Sequence, residues 1–176
     1  MKFFSHINYY EQLPQNWLKT IYQNVILDIY GGGTPSKNEL SYWNGIIPWC
    51  SVKDLGSELF LNKTVNTITE TGLKNSTAKI VKAGDFILCT RMALGKIRIP
   101  LIDMAINQDL KGIKISKYIN NKYFLYHILA NNFEGTGTTV KGINQKDFVS
   151  MPFLLPPICE QKRIIEKIEL INQLIN

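Results

Sequence analysis

The alternation of apolar and polar positions is strongest at the C-terminal end of the chain. Past Pro156 and Pro157, Ile164, Ile168, Ile171 and Ile175 recur every three or four residues. That spacing is the seam of a helix that pairs, and Ile165 and Leu174 widen it into a face. Glu160, Lys162, Arg163, Glu166, Lys167 and Glu169 fill the other sides. The two prolines end whatever precedes them, since neither can donate to a sheet ladder. The pattern predicts a helix hinged off a globular body and in need of a partner helix. A terminal helix docked on its own domain fits the same spacing. No Gly or Pro stops the seam, so it reads as the start of a longer helix.

Upstream, short apolar runs are separated by turn residues, a pattern of strands with few helices. Residues 17–30 are apolar enough for a short helix or a strand, and their periodicity does not choose. Residues 46–52 read as a strand with Pro48 at its edge. Residues 80–81 and 85–91 read as strands around the turn 82–84. In 96–102, Ile97 and Ile99 alternate with Lys96 and Arg98, which predicts two cations on one exposed strand face. Residues 104–108, 113–116 and 151–155 look like further strand pieces. Thr69 is placed to cap a short helix through about Asn75. Asn120 or Asn121 caps the clearest internal helix, 122–132, with Phe124, Leu125, Ile128 and Leu129 as its core face and His127 on its flank. Residues 144–149 read as a short capped helical turn. Phe3, Phe4, Tyr9 and Tyr10 suit a packed arm or a connecting segment.

Three polar stretches stand out. Gly31-Gly32-Gly33-Thr34-Pro35-Ser36-Lys37 is the sharpest loop. Its glycines permit positive φ or close approach of a phosphate to backbone N–H groups, but no Gly-Lys-Ser/Thr follows and Pro35 removes a donor. A tight turn leaving the core fits it as well as a loop that touches a nucleic-acid backbone. Residues 53–55 leave the strand at 46–52, and 135–142 form a glycine-bearing loop.

Composition narrows the class. Apolar content of 45% and charged content of 19% describe a globular chain with a real core. The net charge of +6 favours polyanionic partners, nucleic acid before an anionic membrane surface. Cys50, Cys89 and Cys159 are odd in number and unpaired in spacing, which predicts reduced buried thiols in a reducing compartment. His6 and His127 lie far from any Cys, so no metal site is expected. The chain shows no signal-peptide pattern and no apolar run near the ~20 residues of a membrane span. A cytoplasmic location without membrane contact is the expectation.

Catalytic signatures are missing: there is no Gly-x-Ser-x-Gly elbow, His-Glu-x-x-His or dinucleotide glycine loop. Leu155-Pro156-Pro157-Ile158 lacks the amide and aromatic of an amino-methyltransferase motif. Glu160-Gln161-Lys162 reads as surface helix charge. What remains suits DNA, because Lys and Arg neutralise phosphates while Arg, Lys, Asn and Gln pair with purine edges.

Taken in order, the pieces resemble one family. Leu13-Pro14 with Trp17, Gly32 through Ser36, Tyr42-Trp43 with Gly45 and Ile47-Pro48-Trp49 come first. Asp54-Leu55, Ile68-Thr69 with Gly72-Leu73, Gly95, Asn107-Gln108, Gly137-Thr138 with Ile143, and Pro156-Pro157 with Glu160-Gln161 and Ile164 follow. The series resembles the target recognition domain of type I restriction–modification specificity subunits, and recognition halves of some combined restriction–methylation enzymes. The resemblance implies a non-catalytic reader of double-stranded DNA. In that family two such domains are joined by paired helices that set the spacing of a split site and dock methyltransferase subunits. A motor-nuclease subunit completes the assembly.

The expected fold is therefore α+β, a mixed domain of short strands with few helices over 1–155, followed by the start of a coiled-coil-type spacer helix over 156–176. Base reading is expected near Lys53, Arg91, Lys96, Arg98, Thr138, Lys141 and Gln145, and phosphate contacts at Thr34, Ser36 and Lys37. If Arg98 reads a guanine, its loss should blur one base position. Ile164, Ile168, Ile171 and Ile175 form the partner seam. The expected partners are double-stranded DNA, methyltransferase subunits, the restriction subunit and a possible second half-subunit, with no cofactor. The seam is short, so weak or no self-association is expected. The rival classes are a protein-interaction module that pairs through its C-terminal helix, and a DNA-modifying enzyme with an unrecognised site.

Overall fold

Phe86-Ile87-Leu88-Cys89 is buried at all four positions, and its two faces pack into two different cores. That double burial is why the run reads as continuously apolar instead of alternating. A computed structural model of the chain describes residues 13–131, 133 and 142–175. Phe3, Phe4, Tyr9, Tyr10, Thr138 and Lys141 lie outside the described residues.

Among these, the order is β1 (Leu18–Ile21), β2 (Ile26–Gly31), β3 (Trp43–Cys50), β4 (Phe60–Leu61), β5 (Asn66–Ile68), α1 (Glu70–Lys74), β6 (Lys79–Val81), β7 (Phe86–Cys89) and β8 (Ile97–Pro100). Then come β9 (Met104–Ile106), β10 (Leu110–Ile115), α2 (Asn121–Leu129), α3 (Gln145–Ser150), β11 (Pro152–Leu155) and α4 (Ile158–Ile175). The architecture is α+β, with a C-terminal helix. A five-stranded sheet runs β2-β10-β7-β8-β4, a four-stranded sheet runs β5-β3-β9-β6, and β1 pairs with β11.

Phe86 and Leu88 face Phe124, Leu125 and Ile128 of α2, with Tyr22, Phe148, Phe153 and Ile165 closing that core. Ile87 and Cys89 face Met104 and Ile106 of the second sheet, with Cys50, Leu55 and Leu110. Trp49, Ile68, Ala78 and Ala105 form a third cluster on the far side of that sheet, where Leu73 of α1 packs. The layers therefore run helices, sheet, sheet, short helix.

The capping residues act as their chemistry predicts. Thr69 accepts the Gly72 N–H at 3.0 Å, Asn120 accepts the Lys122 N–H at 2.9 Å, and Asn144 accepts the Asp147 N–H at 2.8 Å. Each satisfies an otherwise orphaned first-turn donor. Residues 17–30 are neither one helix nor one strand: β1 and β2 flank a single 3-10 turn anchored by the buried Tyr22. Leu129 is 42% exposed, so the core face of α2 is carried by Tyr123, Phe124, Leu125 and Ile128 instead. Pro48 lies in a strand with neighbours on both sides. It is tolerated because the parallel ladder to β9 involves only Trp49 and Cys50.

The C-terminal helix begins at Ile158 and is docked, not hinged, over its first turns. Gln161 and Ile165 are buried against the body, and Lys122 of α2 meets Glu169 at 2.5 Å. Of the predicted seam, Ile164 and Ile168 are half-buried, whereas Ile171 and Ile175 are exposed. The first half of the helix is thus docked on its own domain, and the second half leaves its apolar positions exposed. Glu160-Gln161-Lys162 is not simply surface charge, since Gln161 is among the most buried polar side chains of the domain.

Among the described residues, no helix is long and apolar enough to cross a membrane, and no cluster of His, Cys, Asp or Glu could hold a metal ion. Cys50 and Cys89 are free and buried, and burial pushes the Cys50 thiol up to about 12. Cys159 is exposed at the start of α4, which corrects the expectation that all three thiols are buried.

Candidate nucleic-acid interface

The loops after β2, β3, β7 and β9 leave the sheets at the same end. Cys50 pairs with Ile106 in the parallel ladder, and Cys89 pairs with Leu110 in the antiparallel one. Those two registers bring residues 32–37, 51–55, 90–96 and 107–109 together.

Main-chain bonds brace these loops against one another. Gly33 N–H donates to the Ile106 carbonyl at 2.9 Å and Asn107 N–H to the Cys50 carbonyl at 3.0 Å. Thr90 N–H donates to the Asp109 carbonyl at 3.1 Å, and Cys89 N–H to the Lys96 carbonyl at 2.8 Å. The glycines of the 31–37 loop serve this packing. A Cβ on Gly32 would lie 2.0 Å from the Ile106 carbonyl oxygen, and one on Gly33 would lie 2.7 Å from the Thr77 backbone. Neither glycine has positive φ. Close approach of two chain segments, and not a left-handed turn, is what requires Gly here.

On this frame sit several of the predicted residues. Thr34 donates its hydroxyl to the Gln108 side chain at 2.5 Å. The Ser36 carbonyl accepts from the Trp43 indole at 3.0 Å, which holds the loop and leaves Lys37 exposed. Lys53 projects from a 3-10 turn closed by a capping box: Ser51 N–H and Oγ both donate to Asp54, at 2.8 and 2.9 Å. Asp54 also accepts the Val65 N–H at 2.7 Å. Arg91 reaches Asp109 at 3.5 Å while half of its side chain stays exposed. Lys96 is exposed and donates to the Leu55 carbonyl at 3.2 Å. Between Arg91 and Lys96, Met92 is exposed at a loop tip with φ +67, a conformation seldom adopted by L-residues other than Asn or Asp.

Arg98 departs from expectation. It is 5% exposed, donating to the Ile97 and Gly56 carbonyls, and its Nε has no partner among the described residues. Burial lowers its pKa, and Glu58 opposes that shift. The alternation of residues 96–99 is real, but the face bearing Arg98 is covered by the 55–58 loop. A base edge cannot reach it. Gln145 is also apart from the cluster, in a separate depression lined by Gln23, Leu27 and Asp28.

Sequence reasoning missed a cleft at the margin of this surface. It has a volume of about 420 Å³ and is lined by Lys37, Leu40, Trp43, Trp49, Ser51, Lys53 and Asn66. The two indoles meet edge to face at 5.3 Å, and Trp49 donates to the Gly33 carbonyl at 3.0 Å. Ser51-x-x-Asp54 is a capping-box signature and was legible. The joining of residue 37 to residue 66 depends on the β3–β5 pairing and was not.

His127 has a structural role. It meets the Tyr22 hydroxyl at 2.7 Å, accepts the Leu154 N–H at 3.3 Å, and burial lowers its pKa to about 4. It ties α2 to β11, far from the loop cluster in sequence and in topology.

Known proteins similar to the chain agree on one family. A specificity subunit of the type I restriction enzyme EcoR124I/EcoR124II from Escherichia coli is 33% identical, over 84% of this chain and 39% of its own length. The type I restriction enzyme MjaIX specificity subunit of Methanocaldococcus jannaschii is 26% identical, over 93% and 40%. The chain thus spans about two fifths of the length of these relatives. Two solved structures share the fold: one of a type I R-M system, with TM-score 0.71 at 22% identity over 93% of this chain and 40% of that one. The other is the HsdS subunit from Thermoanaerobacter tengcongensis, with TM-score 0.70 at 20% identity over 93% and 39%. The family model for the type I restriction modification DNA specificity domain matches residues 18–176, and the chain belongs to that family.

Proposed function

We propose that this chain recognises a specific sequence in double-stranded DNA as a target recognition domain of a type I restriction–modification system, and performs no chemistry of its own. The observation that carries this reading is the convergence of Lys37, Lys53, Arg91 and Lys96 on one end of the two sheets, on loops braced through their main chains. Rigid loops with cationic and amide tips suit the combined task of phosphate positioning and base reading. Residues up to 155 form the recognition domain, and 156–176 begin a spacer helix. Thr34 and Ser36 are assigned to holding the phosphate-facing loop, and Gln108 joins Thr34 as an exposed amide beside it.

The exposed half of α4 supports a second, compatible role. Leu170, Ile171, Leu174 and Ile175 are each more than half exposed, which fits a helix that pairs with another helix in the assembly. By analogy with the specificity-subunit relatives, methyltransferase subunits and the restriction subunit are the partners, with a second recognition half completing a split site.

Selection from random duplex DNA, with the neighbouring methyltransferase subunit present, tests the reading. An enriched short or split motif is expected, with a log–log salt slope near −3.6 for ~4 phosphate contacts. A flat selection with the subunit bound would sink the recognition role and leave assembly as the function.

A further inference from the structure

The cleft beside the loop cluster has a chemistry that the phosphate and groove contacts do not use. Its floor is aromatic, its rim carries Lys37 and Lys53, and Ser51 and Asn66 add polar groups to its wall. Both indole N–H groups are committed to main-chain carbonyls, Trp43 to Ser36 and Trp49 to Gly33. The rings are therefore fixed in orientation, and since Trp49 is 6% exposed, Trp43 is the ring that a ligand can meet. Trp43 remains half-buried and Leu40 is 81% exposed at the mouth. Neither lysine has an ion-pair partner among the described residues. The nearby carboxylates are turned elsewhere, Asp54 to Ser51 and Val65, and Glu39 to Ser41 at 2.6 Å.

An apolar aromatic floor under a rim of two uncompensated cations matches a flat aromatic ligand that carries an anion. Within duplex DNA both faces of each base are covered by its neighbours, so only a base that has left the stack presents its face to an indole. We infer that this cleft holds one unstacked nucleotide of the bound DNA, its base against Trp43 and its phosphate between Lys37 and Lys53. The volume of about 420 Å³ lies in the range of small-ligand clefts, and continuity with the loop cluster through Lys37 and Lys53 puts it within reach of the strand. The inference rests on the DNA-reading function proposed above.

The test compares three probes on the full chain: a paired short duplex, the same duplex with one unpaired 2-aminopurine, and free AMP. The bulged duplex is expected to bind roughly tenfold or more tighter than the paired one, the increment of one base stacked on an aromatic ring, with quenched 2-aminopurine emission. Trp43→Leu should abolish that preference. Because it also frees the Ser36 carbonyl that holds the Lys37 loop, a loss shared equally by both duplexes is expected, and the ratio between them is the readout. Should Trp43→Leu fail to fold, Leu40→Glu places a negative charge at the exposed mouth without touching the core and should have the same effect. Equal affinity for both duplexes, or a preference that survives Leu40→Glu, would overturn the inference and leave DNA reading intact. AMP binding as tightly as the bulged duplex would overturn it in favour of a free nucleotide. Failure of every duplex to bind, with the methyltransferase subunit present as in the selection above, would remove the cleft's role and the DNA-reading function together.

Discussion

Gln161, in the second turn of α4, accepts the backbone N–H of Asn120 at 2.8 Å, and Asn120 in turn caps α2. The same amide donates to the Pro156 carbonyl at 3.0 Å. One side chain thereby joins the proline break, the terminal helix and the cap of the main internal helix. Gln161→Met keeps the volume but removes every one of these bonds. A loss of about 1–3 kcal/mol in urea unfolding is expected, because the Asn120 N–H and the Pro156 carbonyl are left without partners. A neutral result would mean that water replaces the amide.

Arg98 holds the 55–58 loop through the Gly56 carbonyl, and that loop follows directly on the turn carrying Lys53. Arg98→Met should lower stability by about 2 kcal/mol, since hydrogen bonds from a charged donor are lost. It should speed hydrogen exchange at 55–58 and weaken DNA binding equally on all sequences. Selective loss of one base position would instead make Arg98 a base reader after all.

Acid should loosen the helical layer. The folded-state pKa of His127, near 4, lies below the ordinary value of 6.5, so the unfolded chain binds the proton first as pH falls. Its contribution is complete above about pH 6.5 and is lost on the way down to about 4, by up to about 3 kcal/mol. Chemical denaturation across that window checks it. His127→Gln should show a shallower fall than the parent chain, and parallel curves would refute the assignment.

The two halves of α4 should respond differently to truncation. Ile165 is 6% exposed in the main core, and Ile165→Ala should cost about 2–4 kcal/mol. Ile171→Ala and Ile175→Ala should fall within about 0.5 kcal/mol, as exposed positions do. If those two instead weaken capture of the methyltransferase subunit, the outer half is a pairing surface, and unchanged capture would argue against it.

Much of the local structure was legible because local chemistry decides it. Thr69, Asn120 and Asn144 are caps by residue type and position, and their carbonyl or hydroxyl oxygens do what such groups do at helix starts. The family was legible from the order of its motifs. Arg98 was misread because alternation gives two faces without saying which meets water. In a strand between two packed layers, covered at one edge by a loop, neither does. Gln161 was misread for a related reason: a polar residue between charged neighbours looks solvated until a second helix supplies partners. The cleft was invisible because Lys37, Trp43, Lys53 and Asn66 come together only through strand pairing. Thr138 and Lys141 lie outside the described residues; Gly142, which follows Lys141 in the sequence, bridges to Arg91.

The cross-bracing of the loops has an evolutionary consequence. Gly33 to Ile106, Asn107 to Cys50 and Thr90 to Asp109 are contacts between main chains, indifferent to what the neighbouring tips carry. Lys37, Lys53 and Lys96 can be exchanged for other side chains while those struts stay in place. For the DNA-reading role proposed above, such a division of labour separates what holds the loops from what they present. New specificities can be sampled one tip at a time on an unchanged chassis.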